Sequence, residues 1–94
     1  MLPRLTILRD RPSPADPHAL ALAALGWVLG DETRAGRFLA LTGLTPDDLR
    51  ARLGDPALLG AVLSYLESHE PDLIAAADAL GLAPGDLIAA GQAL

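Results

Sequence analysis

Two stretches of this sequence are punctuated in the same way. Thr42-Gly43-Leu44-Thr45-Pro46-Asp47-Asp48-Leu49 and Leu80-Gly81-Leu82-Ala83-Pro84-Gly85-Asp86-Leu87 each set a glycine, a leucine, one further residue and a proline between apolar runs. Glycine adopts the left-handed conformation that ends a helix at little cost, and proline, with its φ already set and no N–H to lose, suits the first position of the next helix. Both stretches read as helix, tight corner, helix. The chain is therefore expected to be all-α, a compact bundle of five or six short helices with two such corners.

Ninety-four residues allow one domain with a thin stability margin. Hydrophobic residues make up 51% of the chain, mostly Leu and Ala, and Trp27, Phe38 and Tyr65 are the only aromatics. Such a core packs helices closely, with small residues at the crossings. The chain has no cysteine, which removes disulfide and thiolate chemistry and speaks against a secreted miniprotein. Net charge is −5, distributed unevenly. Arg4, Arg9 and Arg11 face a single Asp10 in the first thirteen residues, whereas from Leu53 onward there are six carboxylates and no Lys or Arg. The acidic half repels phosphate.

Residues 1–17 hold Pro3, Pro12, Pro14 and Pro17, so they are expected to form a proline-rich N-terminal arm, with the helical domain over 18–94. Asp16 and Pro17 open the first helix, which runs to Leu29, is apolar on every side and so should lie at the centre. It is too short to cross a bilayer. The long leading segment with Asp10 and Asp16 does not fit a signal peptide, and a cytoplasmic protein is expected.

Asp31 caps the second helix, which carries Arg34 and Arg37 on one face and stops at Gly43. Thr45 and Asp48 stand in capping-box relation at the start of a short third helix, with Leu49 and Leu53 inward and Arg50 and Arg52 outward. Asp55 and Pro56 open the fourth helix, whose Leu58, Leu59, Val62, Leu63 and Leu66 form the clearest amphipathic stripe, ending near His69. Pro71 starts the fifth, with Leu73, Ile74, Ala77 and Leu80 inward, and the last helix runs from Pro84 to Ala93. The two corners lie 38 residues apart, too few copies for a solenoid, so a bundle around the first and fourth helices is expected.

No catalytic constellation is present. Ser13, Ser64 and Ser68 sit in no nucleophile elbow, there is no glycine-rich phosphate loop, and Asp47 and Asp48 occupy a first helical turn where the macrodipole accounts for them. His69 lies near Glu67, Glu70 and Asp72, but His18 and His69 have no companions at ligand spacing, so no metal or cofactor is expected. The Gly43 corner has the outline of a DNA-reading helix-turn-helix, yet the end of the second helix that would meet the bases carries Asp47 and Asp48. The expectation is a non-enzymatic interaction or regulatory module that binds a protein partner or a second copy. Arg34, Arg37, Arg50 and Arg52 are the candidate contacts, and a DNA-binding regulator is the alternative.

Gly36-Arg37-Phe38-Leu39-Ala40-Leu41-Thr42-Gly43-Leu44, Pro46-Asp47-Asp48-Leu49-Arg50, Asp55-Pro56, the Leu58 to Leu66 stripe and Gly81-Leu82-Ala83-Pro84 together resemble a family of short all-helical proteobacterial proteins catalogued only as a domain of unknown function. The resemblance covers about His18 to Leu94. It implies an intracellular bacterial protein with a helical fold, and it brings no catalytic residues.

Overall fold

Side-chain caps set where four of the six helices begin. In the computed structural model, which describes residues 16–94, six helices follow one another: α1 (Pro17–Leu29), α2 (Glu32–Thr42), α3 (Pro46–Ala51), α4 (Pro56–Ser68), α5 (Glu70–Leu80) and α6 (Pro84–Ala93). The described residues contain no strand. The Asp16, Asp31 and Asp55 carboxylates accept from the amides of Ala19, Arg34 and Ala57 at 3.1, 2.9 and 2.9 Å, each satisfying an N–H that the first turn leaves unpaired. At α3 the capping box is reciprocal. The Asp48 amide donates to Thr45 Oγ1 at 3.1 Å, and the Thr45 amide donates to the Asp48 carboxylate at 2.9 Å. These bonds hold the Asp48 carboxyl below its ordinary pKa, the Thr45 amide contributing most. Asp55 is lowered likewise, by the Ala57 amide first and the Arg52 side chain second.

The two corners end their helices differently, and one residue explains why. Gly43 (φ 76°) and Gly81 (φ 72°) are both left-handed. After Gly81, the Leu82 amide reaches back to the Ala77 carbonyl at 2.8 Å and the Gly81 amide to Asp78 at 3.2 Å, the double bond of a Schellman ending. At Gly43 only the glycine amide returns, to Leu39 at 2.9 Å. The Leu44 amide donates instead to Thr42 Oγ1 at 3.3 Å, and that hydroxyl donates to the Phe38 carbonyl at 2.7 Å. The equivalent residue in the second corner is Leu80, which has no hydroxyl to offer.

The second corner also lacks a capping hydroxyl. The Ala83 amide donates to the Asp86 carboxylate at 3.0 Å, but no side chain returns the bond to the first turn of α6. Ala83→Thr is expected to complete the box and stabilise the domain by about 1 kcal/mol. A thermal melt no higher than that of the parent would contradict it.

The core lies where α1, α4 and α6 meet, with α5 closing one side and α2 another. Leu20, Val28, Leu58, Leu59, Val62, Leu66 and Leu87 are fully buried, with Ala21, Ala24, Ala76, Ala77 and Ala90 between them. The central position of α1 and α4 follows the sequence pattern, and α6 joins them as an equal third member. Its approach to α4 depends on Gly91, where a Cβ would lie 3.3 Å from Leu63 Cβ.

Two apolar residues stand apart from their expected roles. Ile74, expected inward, is 51% exposed. Residues 73–77 are apolar at every position, so periodicity leaves the buried face undecided, and α5 in fact buries Leu73, Ala76 and Ala77. Leu53, also expected inward, is exposed because α3 stops at Ala51, before Leu53 can follow Leu49 by one helical turn. Leu41, at the end of α2, is the most exposed large aliphatic among the described residues at 59%. The arm expected over 1–17 lies, up to residue 15, outside the described residues.

Candidate functional site

The four arginines singled out from the sequence are all engaged within the domain. Arg34 donates to the Trp27 carbonyl while its guanidinium lies 3.8 Å from the centre of the Trp27 ring, clamping α2 to the end of α1. Arg50 pairs with Asp47 and Arg52 with Asp55, the latter at 3.2 Å, both three residues apart along the chain. Arg37 reaches two other helices at once. It donates through Nε to the Tyr65 hydroxyl at 3.3 Å and through a terminal nitrogen to Asp72 at 2.5 Å, joining α2 to α4 and α5. Tyr65 and then Asp72 raise the Arg37 guanidinium above its ordinary pKa. The Asp31 carboxylate, three residues before Arg34, takes the Arg34 backbone amide and not its guanidinium.

Around the Arg37 bridge the surface falls inward. Tyr65 is buried, meets the Phe38 ring edge to face at 5.1 Å and 86°, and stacks on His69 at 4.3 Å and 23°. The His69 ring is held in that pose by a 2.7 Å hydrogen bond between Nδ1 and the Tyr65 carbonyl. Two open depressions of about 310 and 340 Å³ meet over this stack, sharing Ser68 and His69. The first runs along α4 over Ala61 and Ser64, with Leu41 and Thr42 of α2 as its wall. The second continues across the α4–α5 junction to Glu70, Pro71 and Asp72.

The outer face of α4 explains why a groove exists. Ala61, Ser64 and Ser68 follow one another at helical spacing, and none is large enough to fill the space beside Leu41. Its far end is acidic. Glu70 and Asp72 line it, Glu70 with no hydrogen-bonding partner among the described residues and Asp72 held by Arg37. His69 lies here, yet no group of three His, Cys, Asp or Glu side chains among the described residues converges to hold a metal ion. Sequence reasoning missed this groove. The Tyr65–His69 pair, four apart on one helix, was the available signal.

The region that forms the groove and the core also carries a family signature. A family model described as a protein of unknown function, DUF3572, matches residues 14–94. The chain belongs to this family. No curated protein and no solved structure matches it. The DUF3572 match takes in all six helices, from the Asp16 cap of α1 to the end of α6. None of the six is long and apolar enough to cross a membrane.

Proposed function

We propose that this domain is a non-enzymatic protein-interaction module and that the groove between α2 and α4 is its contact surface. Leu41 carries the reading. It is a large aliphatic, 59% exposed, at the wall of a depression floored by small residues and a stacked Tyr65–His69 pair. A small domain with a buried core gains nothing from leaving leucine in water beside unfilled space, whereas a contact surface needs an apolar centre with polar groups around it.

The alternative, a DNA-binding helix-turn-helix, draws less support. α3 has six residues, its first turn presents Asp47 and Asp48, and its two arginines are paired with neighbouring carboxylates. Reading a duplex would require breaking both pairs while holding carboxylates against phosphate.

A photoreactive side chain at position 41, in the full chain expressed in its own host, is expected to form a discrete protein adduct on irradiation. The same group at position 50 should not. Equal labelling at both positions, or none at 41, would remove the groove reading. Saturable, salt-sensitive binding to random duplex DNA would favour the alternative.

A further inference from the structure

α1 packs against four other helices and still leaves one face to solvent. Of the five exposed large aliphatics among the described residues, only Leu22 and Leu29 share a helix face, seven residues and about 10 Å apart, with Gly26 exposed between them. From Ala19 to Leu29 the helix carries no charged residue, so this face is apolar along its whole length. A Cβ at Gly26 would meet nothing within 4 Å, so the surface dips between the two leucines. α1 supplies no lining residue to the groove over the Tyr65–His69 stack.

Area selects the kind of occupant. At 37% and 41% exposed, Leu22 and Leu29 together offer less than one whole leucine, far below the roughly 1,000 Å² that a stable complex between separate chains buries. A segment tethered beside the face needs no such area, because its local concentration is already in the millimolar range. The chain holds one. Residues 1–15, outside the described residues, lead straight into the Asp16 cap of α1 and carry Leu2, Leu5, Ile7 and Leu8 in their first eight positions. In the extended form of three residues per turn that proline favours, Leu2, Leu5 and Leu8 fall on one side about 9 Å apart, close to the spacing of Leu22 and Leu29. Arg9 to Ala15, with Pro12 and Pro14 among them, remain to reverse the chain, ample length to bring Leu8 back over Leu22, about 9 Å into α1.

We infer that residues 1–8 fold back along α1, antiparallel to it, with Leu8 on Leu22 and Leu5 on Leu29, as a strap over the exposed face of the central helix.

The test uses the full chain with labelled leucine methyls and a soluble gadolinium chelate that speeds relaxation wherever solvent reaches. On a bare face the Leu22 and Leu29 methyls would relax nearly as fast as those of Leu41, in keeping with exposures of 37%, 41% and 59%. Under the strap they should relax at least about fourfold more slowly than Leu41, as methyls in van der Waals contact with a cover do. Leu5→Ser combined with Leu8→Ser should return them to the bare rate, with the Leu41 rate and the circular dichroism unchanged, since both positions precede the helical domain. The chain has no cysteine, so the cover can also be trapped in place. Thr6→Cys with Gly26→Cys should close an intramolecular disulfide in glutathione buffer at least about tenfold more readily than Thr6→Cys with Ser64→Cys, on the outer face of α4. Bare rates at Leu22 and Leu29 in the parent, or equal closure at Gly26 and Ser64, overturn the strap. Shielding that survives the two serine substitutions and grows with protein concentration assigns the face to a second copy and overturns it as well.

Discussion

Replacing Phe38 with alanine is expected to destabilise the domain by about 3–5 kcal/mol, enough to leave much of the population unfolded in a protein of this size. Phe38 is the only fully buried side chain α2 contributes, with Leu39 packed half-buried beside it, so its ring is the main apolar anchor for that helix. Its edge-to-face contact with Tyr65 adds to the burial. Once the ring is gone, α2 keeps Arg34 on Trp27 and Arg37 on Asp72, two partly exposed polar contacts that cannot hold a helix in place unaided. Urea denaturation followed by circular dichroism reads the effect. A loss below about 1.5 kcal/mol would mean that the α2 contact is already loose in the parent.

The second large effect comes from the corners. Gly43→Ala and Gly81→Ala should each cost about 1–2 kcal/mol, because an L-residue is forced into the left-handed region. A Cβ at either position would meet nothing within 4 Å, so the whole cost lies in the backbone. The corners are 38 residues apart and share no hydrogen-bonding partner, so the double variant should lose about 2–4 kcal/mol, the sum of its parts. Thermal melts of the four proteins in the cycle measure this. An interaction energy well above 0.5 kcal/mol would show that the corners are coupled through the core. D-alanine at either position, introduced by chemical synthesis, should recover the loss, since its preferred φ is positive.

The features readable in the sequence were those whose causes are local. Asp16, Asp31, Thr45 and Asp55 cap the next few amides along the chain, and Gly43 and Gly81 answer to their own φ, so a short window contains the whole cause. The α4 stripe was readable for the same reason. Ile74 was not, because neighbouring residues are equally apolar and only the packed α5 decides which faces inward. The groove was hidden more deeply. Its central ion pair joins Arg37 to Asp72, 35 residues apart, and its floor consists of small residues whose meaning is the space they leave empty. Arg34 and Arg37 drew notice as charges, yet their partners on α1, α4 and α5 could be assigned only once the helices were in place, whereas the Arg50 and Arg52 pairs lie three residues apart along the chain.

The helix at the centre of the bundle is the first of the six, and one of its main packing partners, α6, is the last. During synthesis α1 leaves the ribosome as an uncharged apolar segment whose covering surface at Leu87 and Ala90 has not yet been made. That side of α1 stays uncovered until α6 has been made, and with elongation at about 5–20 residues per second the wait lasts several seconds. The nascent chain is therefore a natural client for a holding chaperone. Any stop codon upstream of α6 would produce a permanently sticky fragment in place of a shortened but working domain.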